Sequence, residues 1–369
     1  MDLFRSRRRM SGMRRLALAL VAAVAAAVPS SVPAAGCSPL DCAPSASSLG
    51  GRLLAVRPNG LIGLVQVVDL ANGKTRLRLP PGVLTGHTLV NLDGSVLTWY
   101  DAGKGVRVAD ALGPGGQLVG TSADGKFAVL ARRHKRQTTF ALVAPGSLRS
   151  VTLAGSSWSF DALSGDRLYL LHYLRSGYEV RLYDLARNRL APLPLKDEEG
   201  EALIRGSAWQ RLASPDGRYL FTLYIGGAGG AMIHELDLRT ATARCIDLPD
   251  DGDFNSATAY GLALSPDGRT LWAASTGYGV VAAIYVATAK VRKSFRFTAS
   301  VPNGPVAPAV ALSPRGDMLA LGLAGDVFIA NLKTQRVRKM PHGALALGFS
   351  PDGRRLWLIG TRVTPLIVR

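Results

Sequence analysis

The stretch GLALSPDGRTLW at positions 261–272 decides the fold, because the tetrapeptide at its centre recurs along the chain. Ser-Pro-Asp-Gly occurs in full at 214–217, 265–268 and 350–353, and four altered copies lie elsewhere. The third positions of the seven copies are residues 93, 124, 166, 216, 267, 315 and 352. Self-similarity at such intervals is typical of stacked supersecondary units.

Each copy lies between two short runs of β-forming residues. For the copy at 265–268 these runs are 260–264 and 270–274. Pro presets φ for the first corner of a turn, Asp can hydrogen-bond its own backbone, and Gly tolerates a positive φ, so the tetrapeptide suits a tight hairpin. A second polar turn follows in most units, as at 69–73 and 184–188. The pattern predicts four antiparallel strands per unit and, by radial repetition, a β-propeller.

The number of copies predicts the number of blades. Seven hairpins predict an all-β, seven-bladed propeller of four-stranded antiparallel blades. Only one short run, 365–368, follows the second strand of the last unit, whereas the run 64–79 has no inner hairpin of its own. We therefore expect N- and C-terminal strands to share one blade and close the ring, which would remove open sheet edges. Eight blades are the alternative, because 52–56 is an additional strand-like run.

Two stretches also resemble a known group of proteins. VVDLANGK at 67–74 and GLALSPDGRTLW at 261–272 are similar to repeats of bacterial β-propellers of the YVTN and TolB/WD-repeat-like type. The resemblance extends over essentially the whole mature chain and implies the fold without implying one activity. The Trp-Asp dipeptide that marks true WD repeats is absent.

The N-terminal region predicts export. Six arginines within 5–15 precede an apolar run at 16–28, the layout of a secretory signal, and the run is shorter than the ~20 residues of a membrane span. We expect a signal peptide at 1–36, a flexible Ser/Pro-rich tether at 37–50 and the propeller domain at 51–369. The protein would then be extracellular, periplasmic or anchored on the outer side of the cytoplasmic membrane.

The three cysteines bear on anchoring. Cys37 follows Ala-Ala-Gly, which resembles a lipobox and makes Cys37 a candidate for lipidation. The alternative is conventional cleavage near Ala34 or Ala35, after which Cys37 and Cys42 could form a local disulfide. Cys245 lies in a strand-like run and is expected to be a small buried hydrophobe.

Net charge indicates the class of partner. The formal charge is +18, and residues 37–369 carry about +13 of it. The expected partners are a protein or an anionic envelope component, either lipid head groups or a wall polymer. Ordinary solvated faces are the alternative reading of the charge. No nucleic-acid-binding motif is present, and aromatic residues make up only 7%, so nucleic acid is not expected.

Alignment of the units on the first residue of each tetrapeptide brings unusual residues into register. Asp161 and Arg211 occupy the same position in adjacent units, and most other units have an apolar residue there. We expect this pair near the central channel, either as a salt bridge between blades or as part of a ligand site at the channel mouth. The other candidate ligand-binding residues are Trp158, Trp209, Gln210, Tyr260, His87 and His342. The two histidines are candidates because each precedes an expected innermost strand.

No constellation of residues in the sequence indicates catalysis. The five histidines show no metal-ligand spacing, and no nucleophile elbow or phosphate-binding loop is present, so neither a metal nor a cofactor is expected. The predicted function is that of an exported or lipid-anchored scaffold, expected to be monomeric, that binds a protein or ligand in the cell envelope. The alternative is a propeller enzyme of the lactonase, lyase or dehydrogenase type, whose site residues would converge at the channel mouth.

Overall fold

Alternation of apolar and polar residues between frequent turns produces a chain of short strands. The structure is a computed structural model that describes residues 45–57, 63–227, 230–249, 252–323, 325–360 and 362–368. Over these ranges the strands form eight antiparallel sheets, each made of consecutive segments of the chain. The protein is therefore an eight-bladed β-propeller, as its sheets and their order show.

The first four blades follow one another in sequence order. Blade 1 contains β1 (Ser45–Leu49), β2 (Leu53–Arg57), β3 (Val65–Asp69) and β4 (Lys74–Leu79). Blade 2 contains β5 (Val83–Thr85), β6 (Thr88–Asp93), β7 (Val96–Asp101) and β8 (Val106–Leu112). Blade 3 contains β9 (Gln117–Thr121), β10 (Ala128–His134), β11 (Gln137–Ala144) and β12 (Ser147–Ala154). Blade 4 contains β13 (Trp158–Ser164), β14 (Arg167–Leu174), β15 (Gly177–Asp184), β16 (Arg189–Leu190) and β17 (Leu203–Ile204).

The remaining four blades include one short helix and one blade with three strands. Blade 5 contains β18 (Ser207–Ala213), β19 (Tyr219–Gly227), β20 (Gly230–Asp237) and β21 (Thr242–Asp247). The helix α1 (Phe254–Thr258) leads into blade 6, with β22 (Tyr260–Leu264), β23 (Thr270–Ser275), β24 (Val280–Tyr285) and β25 (Lys290–Arg296). Blade 7 contains β26 (Ala309–Leu312), β27 (Met318–Gly322), β28 (Val327–Asn331) and β29 (Val337–Met340). Blade 8 contains β30 (Ala346–Phe349), β31 (Arg355–Ile359) and β32 (Val363–Ile367).

The first strand of each blade is its innermost strand. Neighbouring first strands contact one another around the ring, for example β5 and β9, β22 and β26, and β30 and β1. Turns between first and second strands therefore share one side of the ring, which we call the turn face. The connections that enter the first strands lie on the other side, which we call the entry face.

The prediction of seven blades was wrong, and the reason is local. The copy of the motif around Asp93 joins β6 to β7, the second and third strands of blade 2. The inner hairpin of this blade turns at Gly86 and His87, and that of blade 1 turns at Gly50 and Gly51. Neither turn contains Ser-Pro-Asp-Gly, so an alignment on this motif cannot detect either hairpin.

A shared closing blade was also expected, and the structure has none. Blade 1 is built from 45–79 and blade 8 from 346–367. The two meet through side chains: the Trp357 indole Nε1 donates to the carbonyl of Leu70 at 2.6 Å. Trp357 is 5% exposed and belongs to the same apolar cluster as Leu54 and Val68. The ring thus closes by packing between two blades that are each built from one continuous segment of the chain.

The Ser-Pro-Asp-Gly turns are closed by hydrogen bonds of one kind. The Ser350 hydroxyl donates to Asp352 Oδ1 at 2.5 Å and accepts from the backbone N–H of Arg355 at 2.9 Å. Where Arg315 replaces the motif aspartate in blade 7, Asp317 accepts from Ser313 Oγ at 2.8 Å instead. The hydroxyl therefore keeps a carboxylate partner even though the motif is altered.

The core is divided into layers between neighbouring blades. One such layer contains Ile329 of blade 7 together with Leu347, Leu356 and Leu358 of blade 8. Blade 4 interrupts this regularity, because its outer edge is made of two short strands, β16 and β17, that both pair with β15. The residues between them form the exposed acidic loop 197–201.

Candidate functional site

Asp161 and Arg211 form an ion pair between blades 4 and 5. Arg211 Nη2 donates to Asp161 Oδ1 at 2.7 Å, and Nη1 donates to the Asp161 carbonyl at 3.3 Å. The Asp161 side chain is 4% exposed and the Arg211 side chain is 26% exposed. A β-bulge places Asp161 outside the regular register of β13, whose pairing with β14 passes from Phe160 to Ala162. Bulges commonly re-aim a side chain in this way.

A polar row continues outward from this pair across blade 5. Arg211 lies opposite Thr222, Thr222 opposite His234, and His234 opposite Cys245, so the four side chains share one face of the sheet. Burial lowers the pKa of His234, which favours a neutral imidazole. Burial likewise raises the pKa of Tyr224, which packs near this imidazole. Together these groups form a polar seam between two blades.

The predicted aromatic residues are occupied by packing and backbone contacts. Trp158 Nε1 donates to the carbonyl of Ala154 at 2.8 Å, and its ring stacks on His172 with 4.2 Å between centroids. Trp209 Nε1 donates to the carbonyl of Thr258 at 2.9 Å. These contacts fix the rings inside the fold.

Tyr260 and Gln210 also connect segments of the fold. The Tyr260 hydroxyl donates to the carbonyl of Pro249, and the residue is fully buried. Gln210 Nε2 donates to the carbonyl of Pro308 at 3.2 Å, and its Oε1 accepts from the N–H of Leu262 at 3.2 Å. Gln210 of blade 5 is thereby linked to blades 6 and 7.

The two candidate histidines lie on opposite sides of the ring. His87 is in the turn between β5 and β6, on the turn face. It was expected before an innermost strand, because an alignment on Asp93 shifts this blade by one strand. His342 precedes β30, as predicted, and is exposed on the entry face. It lines a cavity of about 220 Å³ together with Arg362, Thr364, Leu358 and two glycines. None of the other predicted site residues lines this cavity.

The predicted residues therefore do not converge in one pocket. Asp161 with Arg211, Trp158 with His172, and Trp209 each belong to separate packing contacts. Within the ranges that the structure describes, no group of three or more His, Cys, Asp or Glu side chains could hold a metal ion.

A feature that the sequence reasoning missed is the uneven distribution of charge. Residues 290–368 contain 12 Lys or Arg and three Asp, a net +9, whereas residues 37–289 have a net charge of +3. We call the exposed cations of blades 6 to 8 the basic sector; they include Lys290, Arg292, Lys293, Arg296, Lys333, Arg336, Arg338, Lys339, Arg354, Arg355 and Arg362. The cations are divided between the runs 290–296, 333–339 and 354–362, each of which resembles an ordinary exposed strand or turn when taken alone. Comparing the net charge of segments would have found them.

Cys245 does not have the buried position that was predicted. The residue is exposed on the outer strand of blade 5. Its thiol is nevertheless poorly ionised, because desolvation and a hydrogen bond to Asp197 raise its pKa to about 12. The side chain thus faces the acidic loop of blade 4.

Comparisons with known proteins concern the fold. No protein-family model matches the chain, and no curated protein matches it. The computationally designed protein Ika8 is similar in structure, with a TM-score of 0.51 and 13% identity over 89% of this chain and 97% of that one. AztD from Citrobacter koseri gives a TM-score of 0.49 and 14% identity over 81% and 86%. The propeller domain of Cps50 (Swd1) from Myceliophteria thermophila gives 0.47 and 12% over 89% and 97%. At such low identity, similarity to the YVTN and TolB type stays a prediction.

The predictions about the N-terminus fall on another part of the chain. The signal peptide, Cys37, Cys42 and residues 37–44 of the predicted tether lie outside the described residues, whereas residues 45–49 of that stretch form β1 and belong to the propeller. Among the residues that are described, no helix has the length and apolar character needed to cross a membrane.

Proposed function

We propose that this propeller is a binding scaffold of the cell envelope whose basic sector holds an acidic protein partner. The observation that carries the proposal is the concentration of charge, with +9 in residues 290–368 against +3 in residues 37–289. A local excess of one sign attracts partners of the opposite sign and accelerates their association.

The strand that contributes most to this surface is β25 of blade 6. Lys290, Lys293 and Arg296 are all exposed on it. Arg292 lies over the Tyr285 ring at 4.0 Å, which holds its guanidinium in place. An ordered cation loses less conformational freedom on binding than a free one.

The test is capture of partners from an envelope extract. Wild-type protein should retain a defined acidic protein at low salt and release it as salt screens the charges, since the screening length is ~8 Å at physiological ionic strength. Reversal of Lys290, Lys293 and Arg296 to Glu should abolish capture. The matched control reverses three exposed cations of the β10–β11 hairpin, Arg132, Lys135 and Arg136, and should leave capture intact.

Two results would refute the proposal. Equal loss in both variants would mean that net charge acts without a site. Retention of anionic lipid vesicles by the wild-type protein, with no protein captured, would assign the basic sector to a membrane surface.

The enzyme alternative receives no support from the arrangement of residues. A propeller active site requires several polar groups around one position, and the predicted groups are divided between the two faces and the blade interfaces. Turnover of a small metabolite that is lost on replacing His342 or Arg362, the polar lining of the entry-face cavity, would reverse this conclusion.

The compartment is part of the same proposal. We infer export through residues 1–36, with Cys37 as the candidate lipid acceptor. Mass spectrometry of the mature N-terminus distinguishes an acylated Cys37 from a free terminus near Ala35, and retention of residues 1–36 in the mature protein would contradict export.

A further inference from the structure

Within the described residues, blade 8 ends in an open edge. Its third strand, β32, pairs with β31 on one side, and the described residues provide no fourth strand on the other. The seven other blades each have a fourth strand in this position. In blade 1, for example, β4 pairs with β3 from Val65 to Asp69.

The hydrogen-bonding directions of β32 follow from its register. The N–H of Val368 donates to the carbonyl of Arg354 at 2.9 Å, so this residue faces β31. Backbone groups along an antiparallel strand alternate between the two sides. The N–H and carbonyl groups of Val363, Pro365 and Ile367 therefore point away from β31, toward the open edge.

Proline modifies this edge without closing it. Pro365 has no N–H, so the edge offers the donors of Val363 and Ile367 and the carbonyls of all three residues. Natural proteins use proline on edge strands to discourage indiscriminate pairing. Ile367, 66% exposed, gives the edge an apolar contact beside its donor.

The surroundings of the edge are cationic on both sides. The outer strand of blade 7 exposes Arg338 and Lys339, of which Lys339 pairs with Asp326 at 2.9 Å, and that of blade 1 exposes Lys74, Arg76 and Arg78. Blade 8 itself adds Arg354, Arg355 and Arg362, and residues 353–368 contain no Asp or Glu. A strand entering between these neighbours would therefore meet positive charge from three blades.

We propose that an extended acidic segment of the partner protein adds to β32 as the fourth strand of blade 8. This rests on the proposed function and names the form in which the partner binds. In strand addition, backbone hydrogen bonds supply affinity and the side chains supply specificity. Here alternate carboxylates of the added strand would face the cations of the flanking blades.

The probe is a synthetic eight-residue peptide of alternating Val and Glu, labelled for fluorescence anisotropy and added to the full-length protein. It should bind, and binding should weaken with salt. The same peptide with Lys in place of Glu should not bind. A third peptide keeps the charges but carries an N-methyl group on every residue, which removes the donors along both of its edges. It should lose binding.

Two variants test the edge itself. Ile367→Pro removes an outward donor without removing a bond to β31, and binding should fall by about two- to tenfold with an unchanged circular dichroism spectrum. Pro365→Thr restores the missing donor and should tighten binding by about two- to tenfold, the worth of one hydrogen bond. The second variant gains function, so a folding defect cannot imitate the expected result.

Each result has a distinct meaning. Binding of the fully N-methylated peptide as tightly as the unmodified one would refute strand addition and leave a purely electrostatic surface. Failure of all peptides, while capture from extract still depends on Lys290 and Lys293, would refute strand addition and preserve the proposed scaffold. A dimer of this chain that Ile367→Pro dissociates would overturn the proposal and assign the edge to a second copy.

Discussion

Replacement of Trp357 tests how the ring is closed. Trp357→Phe keeps most of the buried area but leaves the carbonyl of Leu70 without its donor, at a cost of about 1–3 kcal/mol. Trp357→Ala also creates a cavity and should cost about 3–5 kcal/mol in total. Tyr169→Phe is the matched control, because the Tyr169 hydroxyl donates to the carbonyl of Leu238 at 2.9 Å between blades 4 and 5.

The two interfaces should respond differently although each loses one hydrogen bond. Blades 4 and 5 are joined by the chain, whereas Trp357 and Leu70 are 287 positions apart. Loss of the Trp357–Leu70 hydrogen bond should let blades 1 and 8 separate, so native-state hydrogen exchange should accelerate in both β2 and β31. Tyr169→Phe should accelerate exchange only near its own interface. Guanidinium midpoints supply the stabilities, and the reasoning fails if Trp357→Ala costs less than about 1 kcal/mol or leaves exchange in β2 unchanged.

Three further substitutions or conditions have expected outcomes. Arg211→Met leaves the buried carboxylate of Asp161 without its cation and should cost about 3–5 kcal/mol by denaturant unfolding, with partial recovery when Asp161→Asn is added; an additive double variant would contradict a direct pair. The hydrogen bond from Ser350 holds the pKa of Asp352 below its usual value of 3.8, so its contribution to stability is present above that pH and is lost as pH falls through the lower folded value. Ser350→Ala should flatten this part of the acid-unfolding curve, and an unchanged curve would mean that this turn does not contribute to acid unfolding. The raised pKa of Cys245, about 12 against 9.0, implies on the order of a thousandfold less thiolate, so peptide mapping should find slow alkylation at pH 8, and rapid labelling would contradict it.

The propeller fold was predictable because its signal is local turn chemistry. Ser214, Ser265 and Ser350 each close the same hydrogen-bonded turn, so equal sequences mark equal structures. The blade count was not predictable in this way. The inner hairpins of blades 1 and 2 turn at Gly50 and Gly86, and glycines of this kind occur in many other turns of the chain.

The candidate site was predictable in one part only. Comparison of equivalent positions identified Asp161 and Arg211, because a charged residue in an apolar register requires a partner. His87 was misplaced because the motif copy around Asp93 joins the second and third strands of its blade and not the first and second. Such an error of register affects every residue that is placed by its distance from the motif. The basic sector escaped notice because β25 reads as an ordinary exposed strand until charge is compared between segments.

Closure by packing has a consequence for how the chain can be rearranged. Because β1 and β30 contact each other while belonging to separate sheets, none of the sheets formed by residues 45–368 combines strands from both ends of that range. A circular permutant that joins the present ends and opens the chain between two other blades would keep every sheet whole. Each blade is thus built from one continuous segment of the chain, and the order in which the chain visits the blades is separable from the architecture that they form.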